Sequence, residues 1–148
     1  MKFQNPRAPV ACITESQAAD VCAFYGRRLP SEDEWEVAMR GWDFAHDRPK
    51  RDFPGRREMT PLTASQHFQT GAAPHIVGND VDDVTDERVY DGAANVSEWT
   101  DSKFGSSDFM VRGGSFQRPA PQFSLARRHE NMNTAGPDVG VRCVRNMQ

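Results

Sequence analysis

The stretch that decides the fold is residues 28–41, which read RLPSEDEWEVAMRG. Ser31 is followed three positions later by Glu34, and this spacing is that of a capping box, in which each side chain bonds the other residue's backbone N–H. Acidic residues in the turn after Ser31 suit the positive end of a helix dipole. The pattern predicts a helix that begins after Ser31, contains Trp35 and ends at Gly41.

A second helix is predicted just upstream by the same kind of start. Thr14 and Gln17 form another capping box, and Gly26 is a natural stop. Four residues fall on one face at helical spacing: Ala18, Val21, Cys22 and Tyr25. The short apolar run at residues 10–13 predicts a strand before this helix.

The C-terminal third predicts short strands instead of helices. Residues 109–116 contain an apolar run, while residues 123–126 and 139–144 alternate between apolar and polar or small side chains. The chain has 148 residues, with eleven Gly and ten Pro. This length and composition favour one compact, loop-rich domain over residues 1–148, with Trp35 and Trp99 in its core.

The charge balance and hydropathy exclude two classes of partner. Eighteen Lys and Arg against 21 Asp and Glu give a net charge of −3, so we expect no nucleic-acid partner, because such binding needs a basic face. No apolar run approaches the length of a membrane span, and we expect no membrane partner. The N-terminus lacks a signal-peptide pattern. We expect a cytoplasmic chain, or surface exposure if it is a fragment.

The metal-binding patterns that can be read from sequence are absent. Cys12, Cys22 and Cys143 are the three cysteines, and an odd number excludes a fully paired disulfide scaffold. The sequence contains no CxxC and no HExxH, which argues against a structural zinc site. The acidic stretch 79–91 lacks the glycine and the closing glutamate of an EF-hand loop.

Three ordered segments together resemble the formylglycine-generating enzyme, or sulfatase-modifying factor, family. Residues 28–41 match its RLP[ST]ExEWExAxRG element, residues 91–100 (DGAANVSEWT) match its GNVWEW element, and residues 111–143 match its RGGS…GFRC ending. The resemblance implies an α+β, C-type-lectin-like fold, with two helices, short twisted antiparallel strands and long loops.

The departures from the family pattern bear on catalysis. Enzymes of this family use two cysteines after the GGS to bind copper and oxidise a substrate cysteine, and these positions align with Arg118 and Phe123. Neither residue supplies the soft thiolate that copper(I) needs. The first Trp of GNVWEW, which lines the enzymes' substrate groove, is Ser97 here. We therefore expect no copper and no enzyme activity, in a catalytically silent minimal member or a fragment.

The resemblance also implies a structural calcium ion. The family's ligand positions fall on Asp91, Ala94, Val96 and Glu98, which offer two carboxylates and two backbone carbonyls, the hard oxygen donors that calcium takes. The alternative is that Asp91 and Glu98 are turn and capping residues.

A disulfide is the third implication of the resemblance. Cys22 and Cys143 match positions that pair in many family members. The alternative is two reduced, buried thiols, which a cytosolic setting favours. Cys12 is expected to be free and buried.

The surface after the GGS is the ligand face in this family. The recognition groups expected there are Ser115, Arg118, Gln122, Ser124, Arg127, His129 and Asn131. The alternative is a mixed polar surface whose arginines pair with the acidic stretch 79–91.

The leading hypothesis is a non-catalytic module that binds a protein or a small ligand through this C-terminal loop face. It would be a bacterial sensor or interaction domain, or a diversified ligand-binding protein in which residues 115–138 vary. One alternative is a copper- or iron-dependent oxidase that acts on a cysteine-containing substrate. The other is a structural subunit without a ligand of its own.

Overall fold

The computed structural model describes residues 5–52, 73–118 and 127–146. Two helices come first and a four-stranded sheet follows after a two-stranded ribbon. In chain order the elements are α1 (Glu15–Phe24), α2 (Glu32–Arg40), β1 (Trp42–Asp43), β2 (Arg48–Pro49), β3 (Ser97–Phe104), β4 (Asp108–Arg112), β5 (Arg127–Asn131) and β6 (Val139–Val141).

Both predicted helices are confirmed, together with their caps. The Thr14 side chain accepts the Gln17 N–H at 3.3 Å, and the Ser31 hydroxyl accepts the Glu34 N–H at 3.1 Å. Each N3 side chain bonds back to its cap. Gly41 ends α2 with a φ of +64°, a left-handed conformation that glycine adopts without strain.

The strand predicted at residues 10–13 is wrong. It is reduced to a single bridge between Ala11 and Gly140, because Cys12 has a φ of +60°, and this interrupts an extended run. Cys12 is free, as expected, but it is exposed instead of buried.

The larger sheet has the order β5-β4-β3-β6. The β3–β4 and β4–β5 pairs are antiparallel, whereas β6 pairs with β3 in parallel. The expected antiparallel strands are therefore confirmed, and the parallel β3–β6 pair makes the sheet a mixed one. Residues 123–126 lie outside the described residues, and the predicted strand 139–144 is shorter, covering Val139–Val141.

Each face of this sheet packs against one helix. On one face, Trp99, Val111 and Val139 form a cluster with Ala18 and Cys22 of α1. On the other face, Trp35 and Met39 of α2 are buried. Trp35 and Trp99 are 1% and 0% exposed, so their core placement is confirmed.

The C-terminal part of α1 departs from the predicted buried face. Tyr25 follows the last helical residue, as its C-cap, and is 69% exposed. Cys22 and Cys143 form a disulfide that joins α1 to the segment after β6. In the described part of the chain, neither helix is long and apolar enough to cross a membrane.

Candidate functional site

The alternation of β5 divides the predicted ligand residues between two faces of the sheet. Arg127, His129 and Asn131 point to one face and are exposed, while Arg128 and Glu130 point to the other and are half-buried. Adjacent side chains of a strand always point to opposite faces. The structure therefore does not bring the predicted set together as one surface, and Gln122 and Ser124 lie outside the described residues.

The face toward α1 carries a polar group that we name the serine–arginine cluster. Its members are Ser97, Ser115, Arg118, Arg128, Glu130 and Asp138. Arg128 is at its centre, and its guanidinium donates to the Ser97 hydroxyl at 2.7 Å, to an Asp138 carboxylate oxygen at 3.2 Å and to the Glu130 carboxylate at 3.0 Å.

The floor of the cluster is buried and its upper part is open. Ser115 is fully buried, and its hydroxyl donates to Asp138 at 3.3 Å and accepts the backbone N–H of Arg118 at 3.0 Å. The Arg118 side chain is 63% exposed and lies 3.7 Å from the Glu130 carboxylate. The Arg118 guanidinium is thus exposed to solvent, while the residues beneath it are held by hydrogen bonds. This arrangement suits recognition of an acidic or hydrogen-bonding group.

The face toward α2 is organised by Arg112, which sequence reasoning missed. Its guanidinium is fully buried and donates to Glu32 and Glu36 at 3.0 Å each. It also lies 5.1 Å from the Trp35 ring centroid, within the range of a cation–π contact. Arg127 bonds Glu32 as well. The predicted residue Arg127 thus takes part in an ion network that fastens α2 to the sheet.

The remaining described ligand residues surround Asp108. The Asp108 carboxylate bonds His129 Nδ1 at 2.9 Å and lies 3.4 Å from the Asn131 amide nitrogen. The bond from His129 lowers the pKa of Asp108. The Phe104 ring stacks on the His129 ring, with centroids 4.2 Å apart. The described arginines of β5 pair with Glu32, Glu130 and Asp138, which lie outside the acidic stretch 79–91.

The residues predicted to hold calcium lie close together. Asp91, Val96 and Glu98 border a pocket of about 240 Å³. Asp91 accepts the Gly78 N–H at 2.8 Å with one carboxylate oxygen, and its other oxygen lies 3.5 Å from His75 Nε2. Asp91 could thus offer one oxygen to a cation.

Glu98 does not fit that role. Its oxygens accept two bonds from Arg142, at 2.6 and 2.7 Å, and one from the Trp35 indole at 2.6 Å. In the described segments, no group of three or more His, Cys, Asp or Glu side chains is arranged to hold a metal. Because Arg142 and Trp35 bond the oxygens of Glu98, the predicted set of Asp91, Ala94, Val96 and Glu98 does not present two free carboxylates to a calcium ion in this arrangement.

A buried carboxylate, that of Asp83, binds the backbone of the loop that follows Asp91. Asp83 is 1% exposed and accepts the backbone N–H groups of Gly92, Ala93 and Ala94 at 2.9–3.0 Å. Burial raises the pKa of Asp83 to about 7, although these N–H donors favour the ionised form. The only sequence signal was its position in the acidic stretch, which did not distinguish it from its exposed neighbours.

Comparison with curated proteins gives relatives that are longer than this chain. The inactive C-alpha-formylglycine-generating enzyme 2 of Bos taurus is 28% identical over 149 residues, which cover 92% of this chain and 50% of the relative. The serine/threonine-protein kinase pkn1 of Chlamydia pneumoniae is 25% identical over 159 residues, covering 94% of this chain and 24% of the kinase. The chain thus spans about half and about a quarter of these relatives.

Two solved structures share the fold. PvdO from Pseudomonas aeruginosa superposes with a TM-score of 0.70 at 21% identity, over 98% of this chain and 64% of that one. CarF superposes with a TM-score of 0.70 at 18% identity, over 99% of this chain and 70% of that one. At these identities the likeness establishes the fold alone, which is α+β and C-type-lectin-like.

The family model described as the sulfatase-modifying factor enzyme 1-like domain matches residues 2–147, almost the whole chain. The helix, loop and strand motifs quoted from the sequence lie within that match and occupy the order seen in the structure. This chain therefore belongs to the sulfatase-modifying factor, or formylglycine-generating enzyme-like, family.

Proposed function

We propose that this domain is a non-catalytic recognition module that binds a protein or a small ligand through its C-terminal loop face. The family scaffold is retained, and the residues that would perform thiol-based copper chemistry are replaced. Loops held on a rigid frame are where binding specificity is commonly located.

The count and pairing of the cysteines carry the proposal. The chain has three cysteines, and Cys22 and Cys143 are joined to each other. Only Cys12 remains as a free thiol. A copper(I) site of the enzymes' kind needs two thiolates, so this chain does not supply one by itself. Arg118 occupies one of the two aligned positions, and Phe123, at the other, lies outside the described residues.

The name of one relative supports a role without turnover. One relative is described as an inactive formylglycine-generating enzyme and another as a protein kinase. In the second case, the segment similar to this chain makes up 24% of a protein kinase, which is consistent with a sensor or interaction role. Because this chain covers only part of both relatives, their activities are not transferred to it.

Two separate exposed surfaces offer groups for binding, the serine–arginine cluster on the face toward α1 and His129 on the opposite face of β5. Arg118 is mostly exposed, and its backbone N–H is fixed by Ser115, so its position is partly preorganised. His129 is held against Phe104 and Asp108. Fixed polar groups of this kind lose less conformational entropy on binding than mobile ones do.

Substituting the exposed group of each of these two surfaces should weaken partner binding. We expect Arg118→Ala and His129→Ala each to reduce co-purification of partner with the tagged chain by about tenfold or more, as is typical for arginine and aromatic-stacked contacts at the centre of an interface. The measurement is quantitative mass spectrometry of proteins retained from native extract. Arg27→Ala, an exposed arginine after α1, is the matched control and should change nothing.

The same experiment separates the alternatives. Partners retained equally by all three variants would contradict recognition through either surface and favour a structural subunit. A melting temperature within about 1 °C of wild type for each variant would establish that lost binding does not come from lost folding.

A further inference from the structure

The loop that carries the predicted calcium residues contains three buried carboxyl groups. We call residues 83–98 the acid loop. Asp83, Asp91 and Glu98 are 1%, 5% and 4% exposed. Buried carboxylates are costly unless a cation or several hydrogen bonds compensate for lost hydration. Asp83 has its three backbone donors, and Glu98 needs a positive partner.

Arg142, one residue beyond β6, provides that partner. Its guanidinium donates to both oxygens of Glu98, at 2.6 and 2.7 Å. It also donates to the backbone carbonyl of Tyr90 at 2.7 Å. These acceptors are two carboxylate oxygens and a main-chain carbonyl oxygen, which is the kind of donor set that a hard divalent cation takes in proteins.

We propose that the Arg142 guanidinium is the resident cation of the acid loop, so that the loop keeps its conformation without a bound divalent metal. A calcium ion that used Glu98 would have to displace the guanidinium or lie beside it, and two adjacent cations repel each other. The five N–H groups of arginine form a planar fork that matches a carboxylate bidentately. The cation at this position is therefore a side chain of the protein itself.

The surrounding charges favour a permanent cation at this position. Glu98 contacts the Arg142 guanidinium directly, and the carboxyl groups of Asp91 and Asp83 lie within electrostatic range of it. His75 Nε2 lies 3.5 Å from the Asp91 carboxylate oxygen that does not bond Gly78. This inference is independent of what the recognition face binds.

The test is thermal unfolding of the full chain with and without metal. For the wild type, we expect excess EDTA and millimolar calcium each to leave the melting temperature unchanged within about 1 °C. Arg142→Ala should lower it by about 5 °C, because Glu98 loses its charged partner. Millimolar guanidinium or calcium should restore part of that loss, by refilling the vacated cation position.

Two further variants complete the design. Arg142→Lys should fall between wild type and Arg142→Ala, because it keeps the charge and loses the bidentate fork. The control Arg27→Ala should not respond to guanidinium. A fall in the wild-type melting temperature with EDTA, or a rise with calcium, would overturn the proposal, as would an Arg142→Ala variant that neither cation rescues. If that variant does not fold, the wild-type response and Arg142→Lys decide.

Discussion

Replacing Arg112 with alanine is expected to lower the free energy of unfolding by about 3 kcal/mol. The substitution removes a guanidinium that is 1% exposed and bridges Glu32 and Glu36. Both glutamates would lose a buried charged partner. The estimate is at the low end of the range for breaking a buried ion pair, since Arg127 still bonds Glu32 and Arg40 still bonds Glu36.

Chemical denaturation measures this loss directly, with a melting temperature about 6–12 °C below wild type as the second readout. Arg27→Ala removes an exposed arginine and serves as the control, with an expected change of no more than about 0.5 kcal/mol. An Arg112→Ala protein as stable as that control would mean that the network does not fasten α2 to the sheet.

Removing the Cys22–Cys143 disulfide is expected to have the larger effect, about 4–5 kcal/mol. The bond spans 121 positions of the sequence, so it restricts a large part of the unfolded chain, and in the chain-entropy model the stabilisation grows with the length of the closed loop. It also holds α1 against the end of the C-terminal strand region, where Cys22 is fully buried.

Thiol titration and melting in reductant test this prediction together. Under denaturing conditions without reductant, only Cys12 should react, and reductant should expose three thiols while lowering the melting temperature. The double variant Cys22→Ala/Cys143→Ala should melt as the reduced protein does, while Cys12→Ser should melt close to wild type. Three reactive thiols in the unreduced, denatured chain would show that the cysteines are not joined.

The parts of the fold that could be predicted depend on local rules. Each helix start is encoded within four residues by a capping pair, Thr14 with Gln17 and Ser31 with Glu34, so the sequence alone was sufficient. The prediction of a strand at residues 10–13 was wrong, and the reason is again local. A left-handed residue at Cys12 is not expected from a cysteine, because non-glycine residues rarely adopt this conformation.

The parts that could not be predicted depend on partners distant in sequence. Arg112 meets its glutamates across 80 and 76 positions, and Arg142 meets Glu98 across 44. No periodicity within one segment reports such pairs. The ligand residues are divided between two faces because β5 is a strand with alternating side chains. The charged composition of residues 127–131 does not predict a strand, so the sequence did not indicate this division.

The arginines that stabilise the fold are different residues from those that are exposed for binding. Arg112 and Arg142 neutralise carboxylates inside the fold, and we expect substitutions there to affect stability. Arg118 and His129 are largely exposed, and we expect substitutions there to affect binding. The proposed recognition role therefore makes separable predictions for the two groups of residues.

The most direct test of the central claim is a copper(I) competition assay on the purified chain, combined with incubation of the copper-treated protein with a cysteine-containing peptide. We predict that a strong copper(I) chelator removes the metal completely and that the peptide cysteine is not oxidised by the protein, because the chain offers one free thiol and not two. Copper held by the protein against the chelator, with peptide oxidation that Arg118 and Cys12 substitutions abolish, would contradict the proposal that this family scaffold acts here without catalysis.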